Sequence, residues 1–340
     1  MARIHSLLAV AGVVVLAGCS AIGSGDPAPS ASAGTVTLVT HDSFALSDGL
    51  LDAFEEESGL TVELVQPGDG GALVNQLVLT KDAPLGDLVF GIDNAFASRA
   101  VDEGVVAPTE AQDAFEGALV PVDYGDVCIN VDHAWFTAQG LAEPVTLEDL
   151  TEPEYKDLLV VPNAVTSSPG LSFLLATVGA FGEDGWVDYW TALKANGVKV
   201  ADGWSDAYFT DFSGGGGGGP RPIVLSYASS PPSTVPEGGT EPTTGALLDT
   251  CFRQTEYAGV LEGAANPDGA RQLLDFLLSD TVQDDIPVSM YMYPVSETAT
   301  LPEEWTAFAP LADEPFEVAP DDISKNREAW LALWSETVIG

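Results

Sequence analysis

Aspartates, hydroxyl residues and aromatics gather at a few short stretches of this 340-residue chain, and each stretch is suited to holding a small polar molecule. Asp42 lies in "HDSF", Asp69 in "PGDGG" and Asp93 in "GIDNA". A carboxylate so placed accepts hydrogen bonds from an amine or balances a cation. Ser167 and Ser168 in "VTSSPG" come just before an apolar run opened by Pro169 and Gly170, where a helix presents unpaired N–H groups to a cap or to an anion. Trp204 and Tyr208 in "GWSDAYF", Tyr227 in "SYASSPP", and Tyr291 and Tyr293 in "VSMYMYPV" offer ring faces to flat rings and cations, worth about 0.5–2 kcal/mol per contact. Taken singly, each Asp is an ordinary turn or N-cap residue, the serine pair reads as a plain cap, and Tyr208 and Tyr293 read equally well as core. Trp204 and Tyr227, each just past a strand and beside small polar residues, suit a stacking wall better.

The elements around these stretches explain why they could converge. "TVTLVT", "TVELVQ" and "DLVFGID" read as strands that alternate with helices over "DGLLDAFEEESG", "GALVNQLVLT" and "AFASRAVDEG". Such alternation implies a largely parallel sheet, and ligands bind at the carboxyl ends of its strands, where all three acidic loops fall. A second set follows with "LLVVP", the helix from Gly170, "WVDYWTALKANG", "VKVADGW" and "PIVLSY". Two long β-rich runs, "ALVPVDYGDVCINVD" and "LLDTCFRQTEYAGVLEGA", separate the sets from each other and from a helix-rich tail. The expected fold class is α/β with two lobes, two crossover strands and a cleft between the lobes. The first lobe covers 36–122, the second 123–254, and 255–340 returns to the first. The hexaglycine from Gly214 to Gly219 lacks the Lys-Ser/Thr of a phosphate-binding loop and reads as a flexible connection.

Composition narrows the partners. With 11 basic against 52 acidic residues the net charge is −41, so nucleic acid is excluded as a partner. Residues 1–19 have the form of a lipoprotein signal ending in "LAGC", which makes Cys19 the expected lipidation site. The Ser/Ala/Pro/Gly-rich stretch 20–35 reads as a tether. The apolar run is shorter than the roughly 20 residues that span a bilayer, so a lipid anchor outside the cytoplasmic membrane is expected. Cys128 and Cys251 then remain as an expected disulfide, one in each β-rich run, and His133 has no evident partner. No G-x-S-x-G elbow of a serine hydrolase occurs.

In their joint order and spacing, "HDSF", "DGGALVNQL", "DLVFGIDN", "VPVDYG", "TSSPGL", "GWSDAY", "VLSYASSP", "IPVSMYMYPV" and "REAWLALW" resemble the thiamine-binding lipoproteins of ABC transporters, from about Val36 to Trp334. The resemblance implies the two-lobed type II periplasmic-binding fold, a monomer that captures thiamine or its phosphates and delivers them to an ABC transporter permease, and neither catalysis nor a cofactor. Carried over residue by residue, it places ligand contacts on Asp69, Gly70, Ser167, Ser168, Trp204, Tyr227, Ala228, Ser229, Ser230 and Pro231. It adds His41 and Tyr291, which stand where the family has tyrosine and tryptophan, while Ser233 replaces a later aromatic. Asp69 would then meet the amino group or the cation, Trp204 and Tyr227 would stack on the rings, and the serine pair would face the hydroxyl or phosphate end. Related alternatives are a polyamine or ferric-iron binding protein of the same fold. A thiaminase I-like enzyme would instead need Cys128 as a free thiol facing the cleft.

Overall fold

The computed structural model describes residues 34–340; Cys19 and most of the tether lie outside the described residues. The strands are β1 (Thr35–Thr40), β2 (Thr61–Val65), β3 (Leu88–Asp93), β4 (Val120–Asp132), β5 (Leu159–Pro162), β6 (Lys199–Ala201), β7 (Ile223–Tyr227), β8 (Thr244–Val260) and β9 (Tyr293–Pro294). They form one sheet in the order β2-β1-β3-β8-β4-β7-β5-β6, with β9 against β4. At each end of that path lies a parallel block, β2-β1-β3 and β7-β5-β6. Between them β4 and β8 run antiparallel, β8 pairing with β3 near its end and β4 pairing with β7. This is the two-lobed α/β arrangement with two crossover strands that the sequence implies.

The helices are α1 (Leu50–Ser58), α2 (Gly70–Leu79), α3 (Ala97–Asp102), α4 (His133–Gln139), α5 (Ser168–Ala195), α6 (Trp204–Asp206), α7 (Pro267–Leu277), α8 (Asp280–Ser289), α9 (Trp305–Phe308) and α10 (Pro320–Trp334). None of the described helices is long and apolar enough to cross a membrane. The first half of α5 is buried on every side, from Ser168 to Val178, and its few polar side chains there, Ser168, Ser172 and Thr177, are hydrogen-bonded. Gly182, at φ 67° and ψ 174°, breaks it, so the two helices read from "LSFLLATVGAFG" and "WVDYWTALKANG" form one interrupted run. β6 stops at Ala201, so Trp204 lies three residues past its strand and opens α6, a π-helical turn following over Ala207–Asp211, while Tyr227 is the last residue of β7 and not beyond it. His133 pairs with Glu143 at 2.6 Å, a partner ten residues away that the sequence pattern does not single out.

Cys128 and Cys251 are disulfide-bonded, joining β4 to β8 where their register shifts after Val127. There the Thr250 hydroxyl accepts the Ile129 N–H at 3.0 Å, so the irregularity leaves no donor unpaired at that point. Both sulfurs are fully buried, and no thiol at Cys128 is available to a cleft.

The hexaglycine is a fitted strap rather than a loose connection, which corrects the sequence reading. A Cβ on Gly215 would fall on the Tyr208 carbonyl oxygen, one on Gly217 on the Phe209 carbonyl, and one on Gly219 on the Asp211 carbonyl. Alternate glycines therefore lie directly on the backbone of the π-helical turn, a spacing only hydrogen side chains permit. Gly217→Ala should lower stability by about 1–3 kcal/mol through overpacking, read from urea unfolding. Replacing both Cys128 and Cys251 by Ala should cost about 2–5 kcal/mol in the same assay.

Candidate binding cleft

Asp69 sits at the N-terminus of α2 in the first block, and its carboxylate reaches the second. Oδ1 accepts from the Gly70 N–H at 2.6 Å and from the Ser168 N–H at 3.1 Å, while Oδ2 accepts from the Trp204 N–H at 2.9 Å. One side chain thus caps its own helix and fills the donor end of α5, whose next donor, Gly170 N–H, is taken by the Ser167 hydroxyl at 3.3 Å. The opposed backbones come close because Gly70 and Gly71 lack side chains. A Cβ on Gly70 would strike the Ser168 hydroxyl, and one on Gly71 would stand 2.7 Å from the Val165 carbonyl oxygen. The Ala72 N–H donates to the Thr166 carbonyl at 3.0 Å, and the Ser168 hydroxyl donates to Asp93.

Beside this junction is a cavity of about 620 Å³, within the roughly 300–1,000 Å³ usual for small-molecule sites. Trp204 forms its aromatic side. The indole stacks on Tyr208 at 5.1 Å and 20° and meets Phe209 and Tyr227 edge-on at 5.4 Å and 6.3 Å. Its Nε1–H donates to the Ser226 hydroxyl at 2.9 Å, which in turn lies 2.8 Å from the Ser230 hydroxyl. A buried serine pair therefore fixes the ring plane. Tyr291 enters from the tail at φ 56°, a left-handed conformation costly for an aromatic residue. The Ser229 hydroxyl holds it by donating to the Tyr291 carbonyl, and its ring stacks on Trp305 at 6.4 Å and 22°.

The third side is ionic. Glu256 on β8 is opposite Asp123 on β4, and His41 Nε2 stands 3.6 Å from Glu256 Oε1. Burial first and Glu256 second push Asp123 well above the usual carboxylate range. Burial pushes Glu256 upward, but His41, the Asp123 carboxyl and Gln254 outweigh it and hold the group below its ordinary value. Burial opposes charge on His41, yet Glu256 beside it leaves the imidazole above its ordinary value. Asp42, exposed on the same loop, is raised by partial desolvation and then by the Asp69 carboxylate.

Of the residues singled out from sequence, His41, Asp69, Ser168, Trp204, Tyr227, Ser230 and Tyr291 line the cavity. Gly70, Ser167, Ala228, Ser229 and Pro231 are buried beside it and do not line it; Ser167 is a helix cap and Ser229 a support for Tyr291. Asp93 is buried in the junction. Tyr293 is core, its hydroxyl donating to the Ala309 carbonyl, whereas Tyr208 is both core and wall. Sequence reasoning missed Phe209, Glu256, Met290, Met292 and the strap glycines Gly214 to Gly216. Glu256 had a readable signal, since Gln254 and Glu256 two residues apart share one face of a strand that is otherwise largely buried.

Two parallel blocks, a pair of crossing strands and a polar-aromatic cavity at the strand ends define a two-lobed solute-binding protein. The sequence matches the family of bacterial extracellular solute-binding proteins over residues 83–313, and the chain belongs to that family. It is 29% identical to the thiamine-binding periplasmic protein of Salmonella typhimurium over 322 residues, covering 92% of this chain and 95% of that one. It is 30% identical to the protein of the same name from Brucella suis, covering 90% and 93%. Its structure is similar to a solved periplasmic thiamin binding protein at TM-score 0.79 and 26% identity, over 89% of this chain and 96% of that one. Iron-bound HitA from Pseudomonas aeruginosa shares the fold at TM-score 0.72 and 20% identity, over 89% and 99%. These relatives are binding proteins, not enzymes.

Burial pushes Asp93 from its ordinary value to about 6, against the lowering effect of hydrogen bonds from Ser168 and the Ala95 N–H. A carboxyl raised in the folded state binds its proton more tightly there. Its contribution is full below the unfolded value, near pH 4, and is lost as pH rises through about 6. Asp93→Asn should therefore flatten the fall in stability across that interval, measured by urea unfolding at a series of pH values.

Proposed function

We propose that this protein captures thiamine between its lobes, 36–122 with 255–340 on one side and 123–254 on the other, and passes it to an ABC transporter permease. It acts as a monomer outside the cytoplasmic membrane, anchored by lipid at Cys19. The observation that carries the reading is the pairing of an aromatic wall with carboxylates around one cavity, in a chain whose full-length relatives are named for thiamine. Thiamine is a cation of two flat rings joined by a methylene: the aminopyrimidine and the thiazolium suit the faces of Trp204 and Tyr227, and the positive charge suits Asp69, Asp42 and Glu256. The Ser230 hydroxyl, and the Ser168 hydroxyl as an acceptor, supply neutral partners for the hydroxyethyl arm.

Capture proceeds by lobe closure, since contacts from both lobes favour the closed state only when the ligand is between them. The Asp69 carboxylate, hydrogen-bonded across the junction, belongs to that closed state. A polyamine also meets carboxylates and aromatics, but its flexible chain gains less from a rigid stacked wall than a planar ring does.

Trp204→Ala should weaken thiamine binding by about 2 kcal/mol, roughly thirtyfold, while leaving the fold intact. Calorimetry with thiamine, with spermidine as the comparison, measures this. Unchanged affinity in the variant, or tighter binding of spermidine than of thiamine, would remove the assignment.

A further inference from the structure

We infer that Phe209 is a ligand contact, its ring forming the outer lip of the aromatic wall and becoming covered when a flat molecule lies in the cavity. The inference rests on the thiamine reading above and adds to it a residue that the family resemblance does not supply. Phe209 lines the cavity and is 53% exposed, and among the described residues no other aromatic side chain is exposed. A single exposed aliphatic group is ordinary on a protein surface. Phe209 differs because the fold holds it where it is. It lies in the π-helical turn Ala207–Asp211, an irregularity that often accompanies functional sites. Its own carbonyl and those of Tyr208 and Asp211 are the three on which Gly217, Gly215 and Gly219 are packed, so any shift of the turn toward the strap would drive main chain into main chain. The buried Asp211 carboxylate pins the end of the turn by pairing with Lys199.

The ring's neighbours show what it is placed to do. Phe209 meets Trp204 at 5.4 Å and 80° and Tyr208 at 5.2 Å and 83°, so it stands across the end of their stacked pair. Trp204 and Phe209 therefore make a corner and not a single plane. A flat ring set against the indole would meet Phe209 at its margin, in the edge-to-face arrangement that aromatic pairs favour. The same contact removes from water apolar surface that the empty protein leaves open, so covering the ring adds to the affinity. Because the turn is already fixed by the strap, the ligand does not have to order this side chain's backbone when it binds.

The test combines calorimetry with thiamine on the wild-type protein, Phe209→Ala and Phe209→Tyr, urea unfolding of all of them without ligand, and hydroxyl-radical footprinting of the wild type with and without thiamine. Phe209→Ala should weaken thiamine binding about tenfold, while Phe209→Tyr, which keeps the ring, should stay within about twofold. Both variants should unfold close to the wild-type urea concentration, because a half-exposed ring contributes little to the core. Radical labelling of Phe209 should fall when thiamine saturates the protein. Unchanged affinity in Phe209→Ala, or labelling that thiamine does not move, would overturn the inference and leave Phe209 as outer surface. A loss of affinity accompanied by a large loss of stability would also overturn it, since the ring would then be a structural prop for Trp204. Absence of thiamine binding by the wild-type protein would instead remove the thiamine reading, and this assignment with it.

Discussion

A single carboxylate holds the working geometry together. Asp69 receives three backbone N–H groups, from its own helix, from the start of α5 and from the start of α6. Charge-assisted bonds of this kind are roughly twice as strong as neutral ones, and here they join segments 99 and 135 residues away in sequence. The two glycines after Asp69 let the facing backbones approach, and Trp204 inherits its position because its own N–H is one of the three donors. The aromatic wall is thus set by an electrostatic contact made outside the ring system. Packing against Tyr208 and the Ser226 hydroxyl then fixes the ring's rotation.

The floor of the cavity shows how a strongly acidic protein buries carboxylates next to a ligand site. Two facing carboxylates in a β ladder repel, which favours a proton on one of them, and the opposite directions in which the pair is shifted follow from that. Burial and Glu256 raise Asp123, while His41, the Asp123 carboxyl and Gln254 hold Glu256 below its ordinary value, and Glu256 in turn raises His41 on the loop after β1. Gln254 Nε2 adds a donor to Glu256 at 3.1 Å and lies 3.2 Å from the Tyr227 hydroxyl, so the ionic floor and the aromatic wall share a hydrogen-bond network. Tyr227 is pushed well above its ordinary value by burial and then by Glu256, and it remains a neutral phenol in that network.

Much of this was legible in the sequence, for identifiable reasons. Strand and helix alternation placed the loops of Asp42, Asp69 and Asp93 on one edge, and small polar neighbours marked Trp204 and Tyr227 as more than core. Sequence could not tell whether Asp69 faces a ligand or the protein's own amides, because both uses favour the same residue at the same turn. Ser167 and Ser168 illustrate the same limit: adjacent and alike, one caps a helix and the other lines the cavity. Glu256 was missed although its spacing from Gln254 put both on one strand face, because a polar residue in a long strand ordinarily reads as solvent-facing. The π-helical turn after Trp204 was hidden as well, and with it the double role of Tyr208, since a five-residue irregularity leaves no periodic trace.

The strap of glycines beside that turn has a consequence for how such a cavity could diversify. Part of its boundary is bare main chain, so no side-chain exchange there can swap one chemical preference for another. A side chain at Gly215 would strike the Tyr208 carbonyl, one at Gly214 would strike Thr244 and the Phe212 ring, and Gly216 has the positive φ of 86° that favours glycine. Variation in what is accepted is therefore channelled to side chains elsewhere on the rim, such as the part-exposed Met290 beside Tyr291.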